Sequence, residues 1–190
     1  MTSTKSIELH PNRGGVRRTV RLVLQPMTLA DVDDVVELEK LCFPEDPWPA
    51  ETYRHELANE LGSVYLVVRV GHDDSRSAPP VVANGGCHLT GGEAYITTIA
   101  THPEWRRCKI GEWLLLHLAR AARKAGAKTV KLEVRESNAA ALGLYRKHGF
   151  AVTGRVEGYY ADEAVLELAL FKLDDSAVWR RLGGALHDPE

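Results

Sequence analysis

Glu133, Asn138 and Tyr145 are residues whose types and spacing could move a proton. Thr-Val-Lys-Leu-Glu-Val, residues 129–134, reads as a β-strand with a carboxylate, Glu133, near its end. Ser137 and Asn138 then offer side-chain oxygens to the unpaired amides of a new helix. Asn138 and Tyr145 are seven residues apart, two helical turns, so both project from one face. Gly149 stands where a left-handed helix cap is expected. The segment thus directs an acid at a strand end, an amide and a phenol toward one place, a set able to take and give a proton.

A second constellation lies upstream. Tyr95 to Thr101 is a β-branched run stopped by Pro103. Arg106-Arg107-Cys108-Lys109-Ile110-Gly111 follows and opens a helix with apolar residues at Ile110, Trp113, Leu114, Leu118 and Ala121, closed by Gly126. Basic side chains around a strand-to-helix turn make a seat for an anion, because free amides and the positive end of the helix dipole point at it.

The elements that must position these groups can be read along the chain. Residues 1–19 read as a flexible N-terminal tail, and Arg21 to Leu24 as a first strand. Thr28 and Asp31 form a capping-box start for a helix that turns Val32, Val35 and Val36 inward; Pro44 breaks it. Pro49 opens a second helix with Tyr53, Leu57 and Leu61 on one side. Strands are expected over residues 63–70, 81–89 and 95–101, with a polar loop over 71–80 and a turn at Gly91-Gly92. Residues 150–156 and 165–172 read as a final antiparallel pair, and 174–190 as a C-terminal tail with a short helix from Val178 to Leu186. Strands alternate with helices only in the second half, which predicts a mixed sheet in an α/β (α+β) fold.

The order of these parts resembles a known family. A strand, an Arg-rich turn, a helix, a strand ending Leu-Glu-Val-Arg, then Ser-Asn-Ala-Ala-Ala-x-x-Leu-Tyr and Gly-Phe is similar to the GNAT superfamily of N-acetyltransferases, and within it to the RimI branch. Phe43-Pro44, Pro47-Trp48 and Gly158-Tyr159-Tyr160 add to the likeness, which spans residues 20–173. The resemblance implies a GNAT fold: a mixed, mostly antiparallel sheet of about seven strands with a central V-shaped splay and about four flanking helices. It also implies acetyl-CoA as cosubstrate with no metal, and a peptide N-terminus, in the RimI branch a ribosomal-protein alanine, as acceptor.

On that resemblance Glu133 is the base, acting through water, and Tyr145 the acid for the departing thiolate. Ile99, Ala100 and Thr101 would meet the pantetheine arm and the oxyanion, with Asn138 as a further partner of the arm. Arg106, Arg107, Cys108, Lys109, Ile110, Gly111 and Glu112 would hold the diphosphate. Trp48, Tyr53, Tyr159 and Tyr160 would wall the acceptor slot, with Asp162 and Glu163 beside it. Plainer roles stand next to these: a surface ion pair for Glu133, a core ring for Tyr145, an N-cap for Asn138, core packing for the aromatics, a solvated turn for the acids. One position departs from the family pattern Arg/Gln-x-x-Gly-x-Gly/Ala, because Lys109 occupies the place of the first glycine. Either the lysine adopts the required backbone angles and adds its charge, or cofactor binding is weakened.

Magnitudes favour an α-amine. Neutralising an amine of pKa near 7.8 costs roughly 1 kcal/mol at pH 7, against about 4.6 for a lysine. An acceptor lysine or small amine remains a second reading, and a silent acyl-CoA-binding module a third. Composition bounds the rest. A chain of 190 residues is expected to hold one main domain. Its net charge of −2 argues against a general nucleic-acid binder. No apolar run approaches the roughly eighteen residues of a membrane span, and no secretory stretch opens the chain. Three scattered cysteines form no disulfide or zinc pattern, so a reducing, cytoplasmic setting is expected.

Overall fold

A computed structural model describes residues 2–9, 18–59, 62–71, 81–160 and 163–182. The chain opens with β1 (Ser3–Leu9), which pairs antiparallel with β2 (Arg18–Pro26) in the register Lys5↔Leu22 and Ile7↔Val20. The expected N-terminal tail is therefore corrected over residues 3–9. The segment looks like a tail because its exposed positions are polar and Ile7 is its one buried apolar side chain among those described. Backbone pairing along the β2 edge holds it instead.

After β2, Thr28 and Asp31 make the expected capping box: the Thr28 amide and hydroxyl both donate to Asp31 Oδ2 at 2.7 Å. A short 3₁₀ turn leads into α1 (Val32–Cys42), then α2 (Ala50–Ala58) and β3 (Ser63–Val70). Arg69 of β3 donates to Asp31 and Asp34, pinning the start of α1 to the sheet. Burial disfavours the Asp31 charge, but the hydrogen bonds from Arg69 and Thr28 outweigh it and hold its pKa low.

Next come β4 (Ala83–Thr90), β5 (Glu93–Thr101), α3 (Ile110–Lys124), β6 (Thr129–Arg135), α4 (Ala139–Lys147), β7 (Ala151–Tyr160), β8 (Glu163–Phe171) and α5 (Ser176–Arg181). The strands bond in the order β1-β2-β3-β4-β5-β6-β8-β7. β5 and β6 run parallel, as the α3 crossover requires, while β6–β8 and β7–β8 are antiparallel. The mixed sheet is as expected. Its eighth strand is β1, and the fifth helix is α5, which begins at Ser176 rather than Val178. Residues 183–186 of the expected C-terminal helix, Leu61 of the second helix and Asp162 lie outside the described residues.

Two compact units divide the chain: residues 1–86 with 98–115, and residues 87–97 with 116–190. In the first, Met27, Val32, Val35, Leu38, Tyr53, Tyr65, Val67, Val81 and Ala100 form one buried apolar cluster under α1 and α2. In the second, alternate residues of β6 (Val130, Leu132, Val134) are buried, the period of a strand with one packed face, whereas β8 buries residues on both faces (Val165 and Ala169 as well as Leu166, Leu168 and Leu170).

Candidate active site

In the first unit the basic turn is bent by its backbone. Arg107 and Lys109 have φ of 66° and 60°, the left-handed region that glycine favours. Each costs a side-chain-bearing residue about 1–2 kcal/mol. Lys109 thus takes the conformation expected of the glycine it replaces. Its carbonyl accepts from the Trp113 amide at 3.1 Å and so opens α3. The first amides of that helix lack intrahelical partners.

The same turn is tied to the end of β5. Arg106 Nε donates to the Thr101 carbonyl at 3.3 Å, and Cys42 Sγ donates to that oxygen at 3.4 Å. A Cβ on Gly111 would lie 3.7 Å from Thr101 Oγ1 and 3.9 Å from Ile99 Cγ2, an ordinary contact, so the protein leaves room there. Ile99, Thr101, Arg106 and the first turn of α3 are therefore neighbours. Ile110 and Ala100 are buried, whereas Cys108 is half-buried with a free thiol.

One cation near this turn escaped the sequence reading. Lys5 of β1 places Nζ 5.8 Å from the centre of the Trp113 ring. Burial is the main cause that lowers its pKa; Glu112 opposes this and Lys109 adds to it. Its place in a strand was the only available signal, and the polar look of residues 2–6 hid it. Two left-handed residues, unpaired helix amides and converging cations suit a polyphosphate.

In the second unit β6 turns Glu133 onto its half-exposed face with Lys131 and Arg135. Glu133 stands opposite Glu167 of β8. The β5–β6 ladder runs from Glu93↔Thr129 to Ile96↔Leu132, so Glu133 lies just past its last pair. Asn138 caps α4, its Oδ1 accepting from the Ala141 amide at 3.1 Å. That commits the side-chain oxygen to the helix and leaves the Nδ2 donors for another partner. Ser137 gives its amide to the Glu163 carboxylate, which also pairs with Arg135 at 3.7 Å. Glu163 thereby braces the β6–α4 turn.

Tyr145 is buried on α4, its ring 5.6 Å from that of Phe150. Burial pushes its pKa up to about 12. Among the described residues its hydroxyl has no hydrogen-bond partner. Gly149 closes the helix with φ of 87°, as expected, and its amide donates to the Arg146 carbonyl at 3.0 Å.

The acceptor aromatics fare differently. Trp48 is half-buried and tilts against Tyr53 at 5.6 Å. Tyr53 is 0 % exposed and its hydroxyl donates to Glu39 at 2.7 Å. The expectation that Tyr53 walls a slot is corrected, because the apolar cluster encloses its ring. The side chains of Tyr159 and Tyr160 lie outside the described residues.

Comparison with known proteins decides the family. The acetyltransferase (GNAT) family pattern matches residues 32–150. The chain belongs to the GNAT acetyltransferase family. This GNAT N-acetyltransferase is 34 % identical over 147 residues to the N-alpha-acetyltransferase RimI of Mycobacterium tuberculosis, covering 75 % of this chain and 86 % of that protein. It is 32 % identical over 114 residues to the [ribosomal protein bS18]-alanine N-acetyltransferase of Escherichia coli, covering 60 % and 71 %. The crystal structure of the ribosomal-protein-S18-alanine N-acetyltransferase from Escherichia coli superposes with a TM-score of 0.68 at 25 % identity, over 80 % of this chain and 94 % of that one. The enzyme is thus RimI-like in sequence and fold, and the matched family region includes both the basic turn and the Glu133–Tyr145 segment.

Proposed function

We propose that this enzyme transfers acetyl from acetyl-CoA to the α-amine of a protein N-terminus, with the N-terminal alanine of a ribosomal protein as its acceptor and the cytoplasm as its place of work. Residues 20–173 are the catalytic domain in this reading, with β1 added at the sheet edge. The observation that carries it is Tyr145: a buried phenol whose hydroxyl has no hydrogen-bond partner among the described residues, on the helix that follows the Glu133 strand. The names of the RimI relatives support the acceptor class.

Bound acetyl-CoA supplies an acyl group activated as a thioester. Arg106, Arg107, Lys109 and the first amides of α3 hold its diphosphate, with Lys5 adding charge at the rim. Asn138 offers Nδ2 to the pantetheine arm. Glu133, through water, takes the proton of the incoming α-ammonium, a step that costs only roughly 1 kcal/mol at pH 7. A main-chain amide within Ile99–Thr101 meets the negative charge that grows on the carbonyl oxygen. Tyr145 donates to the departing sulfur. A phenol at about 12 keeps its proton at every physiological pH. Full transfer to a thiolate near 8.5 would run uphill by about 5 kcal/mol. Tyr145 therefore stabilises the leaving sulfur chiefly as a hydrogen-bond donor, and as the C–N bond replaces the C–S bond the second proton shed by the nitrogen ends on that thiolate.

The test is a panel of peptides beginning Ala, Ser and Met, the same peptides with blocked N-termini and an internal lysine, and simple polyamines, assayed by thiol release. Release with the free Ala peptide above all others is expected. Turnover confined to the blocked peptides or polyamines would assign a different acceptor. Tight acetyl-CoA binding with no release on any amine would mark a silent binding module.

A further inference from the structure

Glu39 is a carboxylate that the chemistry above does not use, and it is only 1 % exposed. It sits on the inner side of α1 beside the apolar cluster, with no cation among the groups that hydrogen-bond to it. Tyr53 of α2 donates to its Oε1 at 2.7 Å, and Thr98 of β5 donates to the same oxygen at 3.3 Å. The Trp48 amide and the Asn84 side chain also bond this carboxyl. Asn84 Nδ2 donates to the Tyr53 hydroxyl at 3.0 Å as well, while Asn84 Oδ1 is buried with no partner. The Glu39 carbonyl accepts from the Phe43 amide at 2.7 Å.

The carboxyl therefore ties the far end of the α1–α2 connector, at Trp48, to α2 and to β5 one residue before Ile99, while the bond to the Phe43 amide is the closing backbone turn of α1. Apolar side chains in place of the whole polar set would fill this core without leaving a buried amide oxygen unpaired or desolvating a carboxyl. The arrangement fixes positions at a cost in stability. Burial, the dominant influence, raises the Glu39 pKa even against its several donors. Where α1 ends, the connector turns outward, and Phe43 is 39 % exposed.

We propose that Glu39 is a positioning residue for the acceptor: its buried carboxyl clamps the connector at Trp48 to β5, and acceptor binding depends on that clamp while acetyl-CoA binding does not. The acceptor class rests on the function proposed above. The occupant of the connector's outer face is the first residues of a polypeptide, whose side chains meet Phe43 and Trp48.

Glu39→Gln keeps the shape and removes the acceptor oxygen's charge; Tyr53→Phe deletes a single donor. Hydrogen–deuterium exchange of the free enzyme reads the clamp, and KM, kcat and calorimetric acetyl-CoA affinity read its consequence. Glu39→Gln is expected to speed exchange in residues 43–49 selectively, raise the acceptor KM roughly tenfold, and leave kcat and acetyl-CoA affinity within about twofold. Tyr53→Phe should give a smaller change of the same kind. A variant that melts earlier, exchanges faster throughout and keeps its KM would show a merely structural carboxylate and overturn the proposal. Should Glu39→Gln fail to fold, Tyr53→Phe with unchanged connector exchange and KM would overturn it equally. A wild-type enzyme inert on every N-terminus would defeat the acceptor assignment instead; exchange then decides the clamp alone, faster supporting it and unchanged refuting it.

Discussion

Residues 106–111 and residues 133–149 have different parts in the proposed mechanism, and their backbones are built on opposite principles. The basic turn is strained: two side-chain-bearing residues, Arg107 and Lys109, hold left-handed angles within three positions. The β6–α4 segment is relaxed. It has a regular strand, an Asn138 cap and a glycine where the left-handed angle falls. Strain would be tolerable where a bound polyanion helped hold the turn, whereas a hydrogen-bond donor to the leaving group would need a rigid support. On the proposed mechanism, cofactor affinity would be tuned by backbone and charge in the first segment, and turnover by the buried phenol in the second.

Removing that phenol should break the comparison most visibly. Tyr145→Phe is expected to lower kcat roughly 100-fold, with acetyl-CoA affinity unchanged by calorimetry. Equal losses in both would place Tyr145 in binding instead. The phenol also sets a pH signature. Native Tyr145 keeps its proton to about 12, above the ordinary 10.0, so the unfolded chain releases it first. The stability it contributes is present below 10.0 and is lost as pH rises through about 12. The Tyr145→Phe variant should flatten that window in denaturation curves, and no alkaline loss of rate should arise from Tyr145 short of it.

Glu133→Gln should cost roughly tenfold in rate at pH 7 and progressively less above pH 8, where an α-amine is already neutral. A loss that stays constant across pH would remove Glu133 as the base.

The strained side is sharpened at Lys109, where charge and backbone separate. Lys109→Ala keeps the left-handed cost and loses the charge, so acetyl-CoA should bind severalfold more weakly. Lys109→Gly loses the charge but relieves strain of about 1–2 kcal/mol, and should bind between alanine and wild type. Much tighter binding by the glycine variant would count against a useful lysine. The smallest effect belongs to the cap: Asn138→Ala should destabilise by about 1 kcal/mol, a few degrees in melting temperature.

The sequence made the β6–α4 segment readable because strand period, cap and glycine all obey local rules. The Lys109 substitution was visible too, although only coordinates show that the lysine accepts the glycine angle. Other parts rest on long-range partners. Residues 3–9 have little apolar pattern, and their strand exists because β2 offers an edge. Tyr53 lies on the inward side of α2 as its spacing implied, but its hydroxyl partner, Glu39, is on another helix. Glu39 itself interrupts the inner face of α1 among Val32, Val35 and Leu38. A charge at an apolar period was the available signal for the clamp. Asp175, whose side chain accepts from the Ala177 and Val178 amides, likewise marks the true start of α5.

Acetyl transfer to a protein α-amine is the reaction on which all these roles depend. It is tested most directly by incubating the enzyme with acetyl-CoA and one lysine-containing peptide that begins with alanine, then locating the acetyl group by mass spectrometry. Modification of the N-terminal nitrogen alone, abolished in the N-terminally blocked peptide, is the expected result. Acetyl found on the lysine side chain, with the N-terminus untouched, would contradict it.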